Sequence, residues 1–570
     1  MERREFFELL GKGAGAAAVL PLSANAKSLQ GMLSHGGVPN FPVSDWQAVV
    51  DEGWGPGEAS AGPDTWDGVP LKSPALPGLA GEGPFKPEWE SLLDYEAPEW
   101  YRDAKFGIWA HWSPQCVPEA GDWYARNMYI QGQGQYDYQV ARFNHPTKFG
   151  YKDLCAQWTL LNWDPEAMIE RCKRAGANLF VALANHHDGF DTWASKHHSW
   201  NANVIGPKRD VIGAWATAAR RQGLRFGVTV HSARNWWWFQ VAHLCDKSGP
   251  LAGVPYDGKL TQELGEDQWW EGLDPQELYG RKHGIHENPD EKYVRNFYDR
   301  VRDLLDQHDP DLLYFDNSGL PLGWAGMNIG AYFYNHYLKT HNGTLDAVLN
   351  IKQTPDKLAK AVVADYERGV TDRIMPHAWQ SETCIGEWHY NRSLFTNHKY
   401  MKPVEAIRWM VDAVSKNGTF ILNIPGRPDG TIDSDEEAIL DAIGTWMQVN
   451  GEAIYATRPW KTFGEGPHAA KSGAFAGGST ASLDAGDIRF TCSKRGDVVY
   501  AIVLGWPTGE KFQVQSLGTA SAQRPGKVAN VELLGCADKL EWNQSAEALI
   551  VQKTAAKPCD FAYALRIRFA

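Results

Sequence analysis

Five short apolar runs in this 570-residue chain end in residues that can do chemistry. His111-Trp112 follows Phe106-Gly107-Ile108-Trp109-Ala110, and Asn185-His186-His187-Asp188-Gly189-Phe190 follows a run that begins at Asn178-Leu179-Phe180. His231-Ser232 closes Phe226-Gly227-Val228-Thr229-Val230, and Asp316-Asn317 closes Leu312-Leu313-Tyr314-Phe315. Asp365-Tyr366-Glu367-Arg368-Gly369 follows Val362-Val363-Ala364. A single histidine at a strand end is ordinarily a loop or satisfied core residue, and a single aspartate can cap a helix. Polar closure of several apolar runs at once, with histidines on three of them, forms a constellation. Two carboxylates on different strands, Asp316 and Glu367, suit glycoside hydrolysis. A retaining mechanism needs its two carboxyl groups about 5–5.5 Å apart. One attacks the anomeric carbon. The other protonates the leaving oxygen and then takes a proton from water, so its pKa has to rise to about 6. The histidines can hydrogen-bond sugar hydroxyls, and tryptophans can pack on ring faces.

The competing use of His111, His186, His187 and His231 is a metal site, because three histidines with one carboxylate suit zinc. Adjacent histidines on a strand point to opposite faces. His186 and His187 would reach one ion only if the backbone turned between them.

The residues must be positioned by strands that end on one side of a sheet. From about 96 to 455 apolar strands alternate with amphipathic helices: helix 210–222 and strand 224–230, helix 289–308 and strand 311–315, helix 327–340 and strand 345–351, then a helix from Pro403 to Gly418 before strand 419–424. Asp164-Pro165-Glu166 caps an earlier helix that stops at Gly176. This alternation predicts an α/β fold, a (β/α) barrel whose reactive groups lie at the C-terminal strand ends. No glycine-rich phosphate loop follows the first strand, which lowers an open nucleotide-binding sheet. Residues 456–570 lose the helical period and read as short strands of an antiparallel β-sandwich.

The remaining sequence sets the context. Arg3-Arg4 before an apolar Gly11–Leu22 stretch and Ala24-Asn25-Ala26 mark residues 1–26 as a twin-arginine export signal, which predicts a periplasmic or secreted protein exported folded. Residues 27–95, rich in Gly and Pro, read as an irregular leader. The net charge of −13 argues against nucleic acid as a partner, and no membrane insertion is expected once the signal is removed. Eight scattered cysteines without a C-x-x-C pair argue against a zinc knuckle and leave room for one or two disulfides after export, with Cys492, Cys536 and Cys559 of the last domain as candidates. The 26 tryptophans fit either a core rich in large side chains or platforms for sugar rings. Oligomeric state, including a homo-oligomer, is left open.

The strand-end residues, taken with their surroundings, resemble glycoside hydrolase family 29, the α-L-fucosidases, over roughly 96–460 with the β-sandwich behind. The matching stretches are Trp100-Tyr101 to His111-Trp112, Asp122-Trp123-Tyr124 to Tyr129, Ala175-Gly176-Ala177 to His186-His187-Asp188-Gly189-Phe190, and Arg209-Asp210-Val211. They continue with Tyr314-Phe315-Asp316, Val414-Ser415-Lys416-Asn417-Gly418 to Ile424, and Asn450-Gly451-Glu452 to Trp460. The resemblance implies a retaining exo-α-L-fucosidase that needs no metal or other cofactor and takes a fucosylated glycan. It implies Asp316 as nucleophile and places His111, Asp122, Trp123, His186 and His187 against the sugar. His231 stands where the family has a sugar-contacting aromatic, and Tyr314 replaces a family Trp. The acid/base varies within the family; Glu367 is preferred because it ends a predicted strand, with Glu382 as its rival. Ser113 and Asn317 stand where the family has glycine. A long segment between His231 and Asn288, with Trp236-Trp237-Trp238-Phe239 and Trp269-Trp270, is either an insert packing on itself or an aromatic wall on the leaving-group side. Two other readings remain: an α-L-galactosidase on the same scaffold, and a carbohydrate-binding protein without turnover.

Overall fold

Eight parallel strands close into a barrel: β1 (Phe106–Ala110), β2 (Leu179–Asn185), β3 (Arg225–Val230), β4 (Leu312–Ser318), β5 (Val348–Lys352), β6 (Val363–Glu367), β7 (Trp379–Cys384) and β8 (Gly418–Asn423), with β8 pairing back onto β1. The computed structural model describes the pairs 65–66 and 69–70, then 78–570 except 285–286, 353, 470 and 524–525. The expected export signal, and nearly all of 27–77, lie outside the described residues. Residues 78–95 include one helical turn, Trp89–Leu92.

Six helices carry most of the crossovers: α1 (Pro165–Arg174), α2 (Val211–Arg221), α3 (Glu291–His308), α4 (Trp324–Thr340), α5 (Pro403–Ser415) and α6 (Ser434–Asn450). Their starts follow from capping. Asp164 accepts the amide of Ala167 ahead of Pro165, Asp210 that of Gly213, and Asp290 that of Tyr293. Gly176 stops the turn after α1 at φ +98°, where an added Cβ would lie 2.7 Å from the Tyr455 hydroxyl.

The barrel departs from strict alternation. Among the described residues only one 3₁₀ turn, Asp356–Leu358, lies between β5 and β6, and no helix lies between β6 and β7. A segment far along the chain fills part of that gap. Val370 and Gly473 form a β-bridge, Phe475 N donates to Glu367 O, and Gly477 N donates to Arg368 O. The sequence reading also passed over β7. Its inward residues are Gln380 and Glu382, so it shows no apolar run.

The barrel interior is layered. Leu179, Val181, Leu312, Val348, Val363 and Ile421 pack its lower part with Trp109 and Tyr314. Polar residues two positions further along each strand therefore share the upper mouth, because inward side chains recur every second residue.

After α6 come β9 (Arg458–Glu465), β10 (Ile488–Cys492), β11 (Val498–Val503), β12 (Lys511–Val514), β13 (Val528–Leu533), β14 (Trp542–Gln544), β15 (Leu549–Gln552) and β16 (Tyr563–Phe569). They form an antiparallel sheet ordered β9-β10-β11-β16-β13 and a second ordered β12-β15-β14. One core that includes Phe490, Val499, Phe512, Val551 and Leu565 joins them, as in a sandwich. A buried triad ties this unit to the barrel: Asp412 on α5 accepts from Arg489 on β10 at 2.7 Å and from Lys416 at 2.6 Å. All eight cysteines are free, so the disulfides allowed for the last domain are not formed. Among the described residues most tryptophans serve as core, and Trp269 is the one tryptophan among the large exposed apolar residues. Among the described residues no helix is long and apolar enough to cross a membrane.

Candidate active site

Asp316 is the fifth residue of β4 and its carboxylate sits at the barrel mouth, 7 % exposed. Both oxygens are held. Oδ2 lies 3.3 Å from His187 Nε2 and 3.2 Å from His231 Nδ1, while Oδ1 accepts from Lys352 Nζ. Burial alone would raise the Asp316 pKa, but Lys352 and His231 outweigh it and hold the group well below the usual carboxylate range. This carboxylate is therefore ionised at neutral pH, the state a nucleophile needs.

Lys352 ends β5 and also donates to Glu367 Oε2 on β6. Two oxygens that share one ammonium nitrogen are at most two hydrogen bonds apart, under about 6 Å. That fits the spacing of a retaining pair. The charges of Asp316 and Glu367 raise the Lys352 pKa above its ordinary value in spite of burial, so it stays an ammonium.

Glu382 on β7 is the register partner of Glu367 but points downward. Its Oε1 accepts from the Tyr314 hydroxyl at 3.2 Å, and the same hydroxyl approaches Asp365 Oδ2 at 3.4 Å. Gln380 donates to Asp365 Oδ1 at 2.9 Å. Burial pushes Asp365 up to about 7, and burial with the charges of Asp365 and Glu367 pushes Glu382 well up. The two thus form a buried carboxyl pair that holds a proton beneath the mouth. Glu382 is 1 % exposed, whereas the Glu367 side chain keeps 17 % of its surface. Tyr314, expected to touch substrate, spends its hydroxyl on this lower pair and offers the mouth only its ring, 5.6 Å from that of Trp109.

The histidines converge as expected. The His111 ring lies 5.1 Å from His186 and 5.0 Å from His231, and His186 lies 4.4 Å from His187. The backbone turns after Asn185, which brings the adjacent pair to one side: Asn185 Oδ1 accepts the amides of His231 and Ser232, and His187 Nδ1 donates to the His231 carbonyl at 2.8 Å. Burial lowers the pKa of His111 and His186 well below the ordinary value, and that of His231 to about 4. Neutral imidazoles each offer one donor and one acceptor, which matches a hydroxyl. On distance alone, His111, His186 and His389, or His186, His187 and His231, could seat a divalent ion. In the second set His187 and His231 already pair with Asp316.

Asp122 and Trp123 come from a tight loop. Gly121 has φ +78°, and a Cβ there would strike the Glu387 carboxylate, which instead accepts the Asp122 amide at 3.0 Å. The Asp122 carboxylate accepts the amides of Trp388 at 3.0 Å and His389 at 2.7 Å. It thereby fixes a loop whose His389 ring lies 4.8 Å from His111. The Trp123 ring lies 6.2 Å from His187.

Lys352 and His389 were not read from the sequence. Lys352 closes an apolar strand as the other site residues do, one residue beyond the expected 345–351. His389 lies on a loop with no periodic signal, and its Nε2 meets Ser113 Oγ at 3.1 Å.

Among the unpartnered buried polar atoms, both His111 ring nitrogens and Trp238 Nε1 lie at this mouth. Buried polar atoms normally find partners, and a polar ligand in the mouth can supply them for His111 and Trp238.

Comparisons with known proteins agree with this geometry. A family model described as alpha-L-fucosidase matches residues 79–452, and one described as the alpha-L-fucosidase C-terminal domain matches 484–568. Human tissue alpha-L-fucosidase is 27% identical over 500 residues, covering 85% of this chain and 91% of its own. The crystal structure of Thermotoga maritima alpha-fucosidase is 25% identical with TM-score 0.63, covering 85% of this chain and all of that one. A trapped covalent intermediate of a GH29 alpha-L-fucosidase from Bacteroides thetaiotaomicron shares the fold at TM-score 0.56 and 17% identity, covering 83% of this chain and 97% of that one.

Proposed function

The chain belongs to the α-L-fucosidase family, and from that membership we propose how its own residues divide the reaction. It is a retaining α-L-fucosidase. The observation that carries the assignment of roles is the shared Lys352, which joins Asp316 and Glu367 at one barrel mouth. Asp316 attacks the anomeric carbon as the glycosidic C–O bond breaks, and Glu367 gives its proton to the departing oxygen. In the second step Glu367 takes a proton from water, the water oxygen bonds to the anomeric carbon, and Asp316 leaves as carboxylate. His111 and His186 hydrogen-bond the sugar hydroxyls as neutral rings, and Trp123 packs on the sugar. His187 and His231 orient Asp316. Glu367 is preferred to Glu382 because its side chain stays partly open at the mouth, where a leaving group exits. The substrate is a terminal α-L-fucosyl residue on an oligo- or polysaccharide. The leader sequence at 1–26 supports action in the periplasm or outside the cell.

The test is incubation of wild-type protein with defined fucosylated glycans and an aryl α-L-galactoside, followed by identification of the released sugar. Release of L-fucose, first formed as the α anomer, is expected. Faster turnover of the galactoside moves the specificity, and binding without turnover removes the enzymatic reading.

Replacing Lys352 by Met keeps the stem and removes the charge. Asp316 then loses the main cation that depresses its pKa. We expect kcat/KM to fall about 100-fold. The acid limb of its pH profile should move to higher pH, because a nucleophile whose pKa has risen is protonated until the pH climbs further. A profile that keeps its acid limb would detach Lys352 from the nucleophile.

A further inference from the structure

The long segment after β3 enters the site at its first helical turn, Asn235–Trp238. That turn is fixed to the catalytic loop: Asn235 Nδ2 donates to the His187 carbonyl at 2.8 Å, and the Tyr293 hydroxyl donates to the Ser232 carbonyl at 2.6 Å. Three consecutive indoles follow, and they differ in one respect. Trp236 and Trp237 both donate Nε1–H to the Glu287 carbonyl, at 2.9 and 3.0 Å. Trp238, 1 % exposed, finds no acceptor among the described residues. Its ring lies 6.0 Å from His186, 5.8 Å from His187 and 6.0 Å from Trp123. It is thus packed against two residues assigned to the substrate and against one that orients Asp316.

An orphan indole alone is not a site. Trp163 Nε1 is also unpartnered, but its ring sits in a cluster with Trp112 and Trp215 outside the barrel. The position of Trp238 against the two histidines is what separates it. Resting on the fucosidase reading above, we propose that Trp238 is a specificity-determining residue whose indole N–H donates a hydrogen bond to a hydroxyl of the bound sugar while its ring forms one wall of the pocket. The insert therefore supplies part of the sugar site, and its first turn is built to hold that ring. A donor left without a partner in the free protein is satisfied only when substrate arrives, so its hydrogen bond favours binding without any competing internal contact.

Trp238→Phe removes the N–H and keeps an aromatic ring. Loss of one such bond is expected to lower kcat/KM on an aryl α-L-fucoside about tenfold. The loss should appear mainly in KM, with an equal rise in the inhibition constant of free L-fucose. Trp238→His, which restores a ring N–H, should recover part of the loss and serves if the Phe variant does not fold. A merely structural Trp238 would give a lower Tm with unchanged KM and unchanged fucose inhibition, and that result overturns the proposal. Absence of fucoside hydrolysis by wild type would defeat the functional reading instead, whereas normal wild-type turnover with an unaffected Phe variant defeats this inference only.

Discussion

Asp316→Gly is expected to lose at least about 10⁴-fold in kcat on an aryl α-L-fucoside, and sodium azide is expected to restore part of it. On the roles proposed above this carboxylate forms the bond to the sugar, and its neighbours His187 and His231, at 3.3 and 3.2 Å, serve to orient it. Removing the side chain leaves a small space bordered by Lys352 and two imidazoles, which suits an anion. Azide placed there attacks the anomeric carbon from the same side as Asp316 did. A C–N bond forms, the glycosidic C–O bond breaks, and the leaving oxygen takes its proton from Glu367. The product is β-L-fucosyl azide, because one displacement inverts the α configuration. Chromatographic detection of that azide identifies the nucleophile, and wild-type turnover by Asp316→Gly would end the assignment.

Glu367→Ala should split substrates by leaving group. A natural glycan needs its departing oxygen protonated, and kcat/KM should drop by about 10²–10⁴. An aryl fucoside with an acidic phenol leaves without that help, so its first step should change little and the glycosyl-enzyme should accumulate, seen as a burst of phenol. Azide then speeds turnover by replacing water that lacks a general base. Glu382→Gln removes a group that holds its proton beneath the mouth. It should leave the leaving-group dependence unaltered and lower kcat only modestly. If Glu382→Gln instead shows the burst and azide response, the acid/base role passes to Glu382.

The barrel was readable where strand interiors are apolar and helix starts carry a cap. Leu312-Leu313-Tyr314-Phe315 must be buried, and Asp316 beyond it must be at the rim. β7 escaped because a strand that carries Gln380 and Glu382 into a polar barrel mouth has no apolar run to find. Its absence from the reading also hid why Glu382 sits beside Glu367: the two are cross-strand partners. Lys352 needed only one more residue of strand β5. The roles of Asp122 and Tyr314 were not legible, since each depends on a distant partner: the Trp388–His389 amides in one case, the Asp365–Glu382 pair in the other. The wealth of tryptophan suggested a wall without saying which indole faces the sugar. That depends on which carbonyl each N–H meets.

The bridge of Val370 with Gly473, and the amides of Phe475 and Gly477 donated to the Glu367 and Arg368 carbonyls, give the barrel a dependence on chain that follows it. Residues 473–477 lie between the two family-matched segments, 79–452 and 484–568, and belong to neither. A gene cut at the end of the first match would yield a barrel whose Glu367-bearing strand has lost its outer brace. The two modules therefore cannot be exchanged as independent building blocks. A chimaera with a foreign tail has to inherit this five-residue connector along with the barrel, and selection on turnover extends to residues that never approach a sugar.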